Sequence, residues 1–213
     1  HHFAAWTMFG NPLLIPIPDI NRTDYFLIFG ANPLASNGSL MTAPDVINRL
    51  ESIKKRGGKI VLIDPRRTET ARVANEHHFI KPSSDAYFLL AIIYTLFEED
   101  LARLDRLAEF TDGEEKFIEF VQDYAPEKVE NLTGISASEI RRIAIEFANA
   151  RTAVCYGRIG VSTQKFGGLC QWLINAINIL TANFDREGGA MFTAPAFDVL
   201  QVEKSTNIYN RWQ

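Results

Sequence analysis

Residues 30–39 read GANPLASNGS, a loop carrying two glycines and four short polar side chains, Asn32, Ser36, Asn37 and Ser39. Hydroxyl and amide donors beside backbone N–H groups at a helix start suit an anion such as phosphate, and glycine lets the backbone approach it closely. The same composition builds an ordinary turn in which Asn and Ser bond their own backbone, and the loop alone leaves both readings open. It is not the G-x-G-x-x-G of dinucleotide folds. Asp64 closes an apolar run where such folds place the acid that accepts ribose hydroxyls, with Arg66, Arg67, Thr68 and Thr70 following as phosphate partners. Against this, Asp-Pro is a common turn starter and adjacent arginines are commonly solvated. Asp85 offers a carboxylate to paired N–H donors, as on a guanine edge, or simply caps a helix. Residues 157–164, GRIGVSTQ, form another glycine loop, where the Gln164 amide can donate and accept in one plane.

These groups converge only if strands deliver them to one edge. Residues 25–30, YFLIFG, and 59–63, KIVLI, are apolar runs of strand length, and the helix predicted between them opens at Pro44, repeats Ile47, Leu50 and Ile53, and ends at Gly57-Gly58. That is a β-α-β unit, and a parallel pair brings Gly30 and Asp64 to the same edge. A short third strand is expected at 78–81, then a helix capped by 82–85 and running to about Phe97. Ser136-x-x-Glu139 is a capping box, followed by a buried stripe of Ile140, Ile143, Ala144, Phe147 and Ala148. Residues 152–156 form another apolar strand, and a helix is expected from about Gln164 to Ala182. Gln171, Asn175 and Asn178 line one face of that uncharged helix, where they meet a ligand or another domain or satisfy one another. The pattern implies an α/β fold: a three-layer αβα sandwich with a mostly parallel sheet built from Rossmann-like β-α-β units.

Composition sets the outer bounds. The 213 residues are 46% hydrophobic and 23% charged, enough apolar material for one sizeable core and too much for disorder. The net charge of −4 argues against a general nucleic-acid binder. Residues 98–130 hold twelve acids against four bases, and read as amphipathic helices with a solvated acidic face. Cys155 and Cys170 have neither metal-ligand nor C-x-x-C spacing and read as buried free thiols. His77 and His78, adjacent on a strand, point to opposite faces and do not share an ion. No nucleophile–base pair, paired catalytic carboxylates or metal cluster is evident. The longest apolar run, 86–97, is well short of the roughly 20 residues of a membrane span, so no membrane insertion is expected.

Six segments in order, GANPLASN, VLIDPRRTETAR, PSSDAYFLLAI, APEKVENLTGISASEIRRIA, GRIGVSTQKFGG and ILTANFDREGGAMF, resemble the molybdopterin oxidoreductase family, which includes formate dehydrogenases, nitrate reductases and dimethyl sulfoxide reductase. The similarity covers about residues 24–192. It implies an αβα domain that carries the guanosine diphosphate arm of one molybdopterin guanine dinucleotide, holding molybdenum or tungsten. By the resemblance, Gly30, Asn32, Pro33 and Ser36 lie beside the diphosphate, and Asp64, Arg66 and Thr68 lie at the guanosine. Asp85 matches the guanine-side acid, and Gly157, Gly160 and Gln164 match a second glycine loop near the cofactor. The family's Gly-Thr-Asp is Ser83-Ser84-Asp85 here, which keeps the carboxylate alone.

The family's N-terminal cysteine cluster for a [4Fe–4S] centre, its metal ligand and its C-terminal pterin-binding domain have no counterpart in the sequence. The expected reading is therefore an internal domain, 1–192, with an acidic helical insertion at 98–135. Residues 193–213 would lead toward a neighbouring domain, with apolar surface at 192–197 facing it. The catalytic metal, the [4Fe–4S] cluster and an electron-transfer partner protein would belong to flanking segments or other chains, in a cytoplasmic enzyme, and the fragment alone would be inactive. Residues 188–195, GGAMFTAP, replace the Arg-Gly-Gln-Asn-Asn type run of some formate dehydrogenases, which argues against formate as the substrate. The alternatives are a molybdenum-free scaffold like the large subunit of respiratory NADH dehydrogenase, and a nicotinamide-dependent Rossmann enzyme.

Overall fold

A computed structural model describes residues 1–194. In chain order the elements are α1 (His2–Phe9), β1 (Ile17–Pro18), β2 (Tyr25–Phe29), α2 (Pro33–Ser36), α3 (Val46–Lys55), β3 (Lys59–Ile63), β4 (Glu76–His78) and α4 (Asp85–Glu98). They continue with α5 (Glu114–Val121), α6 (Pro126–Thr133), α7 (Ala137–Asn149), β5 (Ala153–Gly157), α8 (Ile159–Ser162), α9 (Gly167–Leu180) and β6 (Ala190–Met191). Four strands form a wholly parallel sheet in the order β4-β3-β2-β5, and β1 pairs with β6 antiparallel.

The strands are apolar at nearly every position because both faces of the sheet are covered. Along β2 the period-two alternation sends Tyr25, Leu27 and Phe29 into a core shared with α4, α7 and α9. Phe26 and Ile28 point the other way, toward Val46, Leu50 and Ile53 of α3. The result is the expected three-layer αβα arrangement. On α3 the inward residue of the first turn is Val46, while Ile47 is 48% exposed, so the buried stripe starts one residue earlier than predicted.

Half of the capping box forms: Ser136 Oγ accepts from the Glu139 amide, while the Glu139 carboxylate bonds Arg142 instead of turning back to Ser136, and the predicted stripe of α7 is buried in full. The third strand is Glu76–His78 rather than 78–81, because it pairs in register with Val61, Leu62 and Ile63 and ends where β3 ends. The last long helix opens at Gly167, not Gln164, since the short α8 intervenes. Residues 98–135 hold α5, α6 and short 3-10 turns. Both cysteines are buried and free. Phe192 packs on Phe9 and Phe184 at ring distances of 5.2 and 5.3 Å, whereas 195–197 of the expected apolar surface lie outside the described residues. No helix among the described residues is long and apolar enough to cross a membrane.

Candidate functional site

β3 lies on one side of β2 and β5 on the other, so the loops after β2 and β5 part at the carboxyl edge, the place where parallel α/β sheets open a crevice. The two glycine loops fill that switch point. Gly30 has φ +49°, and its amide donates to the Ile63 carbonyl at 3.1 Å. The Gly160 amide donates to the Gly30 carbonyl at 2.9 Å. A methyl group on Gly30 would stand 2.7 Å from Val161 N, and one on Gly160 would stand 2.6 Å from Gly30 O. A methyl group on Gly157 would meet the end of the Ile174 side chain of α9 at 2.4 Å, so that side chain would have to shift.

The first loop uses much of its hydrogen-bonding capacity internally. Pro33 is buried and opens α2, and the amides of Ala35 and Ser36 both donate to the Asn32 carbonyl. Asn32 Oδ1 accepts from the Thr70 hydroxyl at 2.8 Å, and its Nδ2 donates to Glu69 at 2.6 Å. The Leu34 amide donates to Thr70 Oγ1. Thr70 is fully buried and works as a latch between the loops after β2 and β3, not as a free phosphate partner. Ser36, Asn37 and Ser39 remain exposed.

Beyond β3, Asp64 is 8% exposed and one of its oxygens accepts the Arg66 amide at 2.8 Å. His77 bonds the Asp64 carbonyl at 3.0 Å and so fixes the backbone there. Thr68 is buried, and its hydroxyl has no hydrogen-bond partner among the described residues. Asp85, at the first turn of α4, is 6% exposed and accepts from Gln164 Nε2 at 2.8 Å. That bond ties α4 to the loop after β5. Burial raises the carboxyl pKa of Asp64, against the pull of the Arg66 amide. Burial likewise raises Asp85, against the Gln164 bond and with added repulsion from Asp64.

Two of the three amides on α9, Gln171 and Asn178, serve the fold. Asn178 Oδ1 accepts the Cys155 amide at 2.8 Å while its Nδ2 donates to the Cys155 carbonyl at 2.9 Å, filling the place of a missing strand beside β5. Gln171 donates to Ser162 Oγ at 2.9 Å and to the Arg158 carbonyl at 3.3 Å. The expected meeting of these two side chains with a ligand or a domain is thus replaced by bonds within the domain. The motif could not show this, because a side chain pairing an edge strand leaves no spacing signature.

Charge is divided between the two ends of the sheet. At the amino end Lys59 and Arg142 are paired with Glu76, Glu139 and Glu146, and Arg151 with Asp24. Glu76, His78 and Glu139 lie close enough there to suggest a metal, but Arg142 and Lys59 already occupy the carboxylates. At the carboxyl end Arg66, Arg67, Arg72 and Arg158 have no carboxylate within 4 Å among the described residues. A cavity of about 760 Å³ lies elsewhere, between α1, α5 and α9, with Phe9, Phe117, Trp172 and Phe184 in its walls. It holds no buried ionisable group, so shape favours it and chemistry does not.

Comparison with known proteins settles the family. Residues 4–204 match the molybdopterin oxidoreductase family model. This chain belongs to that family. It is 35% identical to formate dehydrogenase H of Escherichia coli over 170 residues, covering 80% of this chain and 23% of that protein. It is 31% identical to a nitrate reductase of Symbiobacterium thermophilum over 191 residues, covering 83% and 24%. Acetylene hydratase from Pelobacter acetylenicus shares the fold, with a TM-score of 0.78 at 24% identity over 91% of this chain and 25% of that one. The chain thus spans about a quarter of the length of the family members it matches.

Proposed function

We propose that this chain is the cofactor-binding αβα domain of a molybdopterin-dependent oxidoreductase, and that its carboxyl-edge crevice holds the guanosine diphosphate arm of molybdopterin guanine dinucleotide. The observation that carries the reading is the combination of cations and carboxylates at one edge. Arginines without ion-pair partners suit a diphosphate. The buried Asp64 and Asp85 suit ribose hydroxyls and the adjacent N–H donors of guanine. The unpartnered hydroxyl of buried Thr68 fits the same ligand, since buried polar groups are nearly always bonded.

When bound, the cofactor supplies a metal centre for two-electron chemistry; this chain's residues bind and orient one arm of it. The [4Fe–4S] cluster, the metal ligand and the contacts to an electron-transfer partner belong to other parts of the protein. Similarity to both a formate dehydrogenase and a nitrate reductase favours no single substrate. The test is calorimetric titration of the chain with GDP, ADP and NAD. GDP binding at least tenfold tighter than ADP is expected, with modest affinity because most contacts of the full cofactor are missing. Equal binding of GDP and ADP, or preference for NAD, would overturn the guanosine assignment. Silence from all three would favour the molybdenum-free scaffold.

A further inference from the structure

The helices α1, α5 and α9 leave an aromatic groove between them. The cavity of about 760 Å³ walled by Phe9, Phe117, Trp172 and Phe184 is one part of it. A second hollow of about 390 Å³ continues along the same three helices, sharing Phe117 and Trp172 and adding Phe3 and Leu169. Phe3, Phe110 and Phe120 stand exposed around it. Contiguous apolar surface of this kind, rich in aromatic rings and free of buried charge, is the mark of a contact site.

The chain itself leads into this groove. Phe192 forms part of its wall, edge-on to Phe9 and Phe184, and the described residues end two positions later at Ala194. The sequence that follows, PAFDVLQV at 195–202, carries Phe197, Val199, Leu200 and Val202 and a single charge, Asp198. Eight residues reach roughly 25 Å when extended. The eight-residue α1 that flanks the groove is only about 12 Å long, so 195–202 can run the length of it. Charge agrees as well: Lys116, at the groove, has no carboxylate within 4 Å among the described residues, and Asp198 adjoins Phe197. We propose that residues 195–202 of this chain occupy the groove, packed over Trp172 with Phe197 as the leading anchor and strapping α1 to α5.

The test follows Trp172 by fluorine NMR in the 213-residue chain grown with 5-fluorotryptophan, whose three resonances, Trp6, Trp172 and Trp212, are assigned by single Trp→Phe replacements. A nitroxide is attached at Gln201→Cys; Cys155 and Cys170 are buried, so the label goes to the new thiol. The Trp172 resonance should at least double in width and sharpen again when ascorbate reduces the nitroxide. The same label at Lys55→Cys, on α3 across the sheet from α9, should leave it unchanged. Adding Phe197→Asp to the Gln201→Cys chain should abolish the broadening and raise the fluorescence of added anilinonaphthalene sulfonate at least twofold, with circular dichroism unchanged. A Trp172 resonance left sharp by the label at 201 would overturn the proposal, and so would full broadening in the Phe197→Asp chain. Mixing a nitroxide-bearing chain without fluorine and a fluorinated chain without nitroxide should give no broadening; broadening as strong as in the doubly labelled chain would give the groove to a second copy and overturn the assignment.

Discussion

Gly30 and Gly160 meet backbone to backbone, joined by a 2.9 Å hydrogen bond, and neither has space for a side chain. Gly30 also needs its positive φ, a region costly for other residues. Gly30→Ala and Gly160→Ala should each destabilise the domain by about 2 kcal/mol or more. Because the two methyls would separate the same contact, the double variant should cost clearly less than the sum. Urea unfolding of the three variants measures this; additive costs would show that the glycines do not form one contact.

Asp85→Asn separates binding from stability. Burial already disfavours the ionised carboxyl, so removing its charge should leave the free protein as stable or up to about 1 kcal/mol more stable. GDP affinity should nevertheless fall at least tenfold, because the base edge loses an anionic acceptor. The wild type should also lose GDP affinity as pH falls through the raised pKa, starting at higher pH than for an exposed aspartate. A pH series of titrations checks both, and a pH slope in Asp85→Asn as steep as in the wild type would remove Asp85 from the site.

Much of this was legible in the sequence, for physical reasons. Strands buried on both faces are continuous apolar runs, and the loops at their ends carry Gly30, Asp64 and Gly157. The pairing of those loops was not legible, because the Gly30–Gly160 contact joins residues far apart in the chain. Gln164 and Asp85 are each legible as candidates, but the hydrogen bond that joins them is not, because it links residues 79 positions apart. Asn32 was read as a donor to an anion, and only the structure reveals Thr70 and Glu69 as its partners. That Arg158 has no carboxylate within 4 Å among the described residues is a tertiary property with no signature in the sequence.

Glu76 governs the acid side of the stability curve. Burial opposes its ionisation, but hydrogen bonds from Arg142, Lys59 and His78 prevail and hold the carboxyl at about 2, below its ordinary 4.5. A depressed folded pKa gives stability that is present above 4.5 and lost as pH falls toward 2. Asp64 and Asp85 act with the opposite sign, since protonation relieves their burial. Glu76→Gln should cost about 2 kcal/mol at neutral pH, roughly 4–8 °C in Tm, and flatten the loss of stability between pH 4.5 and 2. Thermal melts across that range test it, and an unchanged acid limb would show that Glu76 does not set it.

Asn178→Ala would leave the amide and carbonyl of Cys155 buried without partners. The expected cost is about 2–4 kcal/mol, with faster hydrogen exchange at the Cys155 amide and a greater tendency to associate along the β5 edge. Asn178→Asp restores only the acceptor and should recover less than half of the loss. Unaltered exchange at Cys155 in Asn178→Ala would mean that the edge is protected by something other than this side chain.

The most direct measurement is a crystal structure of the chain with GDP bound. The diphosphate should lie between residues 30–39 and 157–160, with the base against Asp85 and the ribose near Asp64. GDP seated instead in the aromatic cavity beside Trp172, or bound away from both carboxylates, would contradict the assignment of the carboxyl edge as the cofactor site.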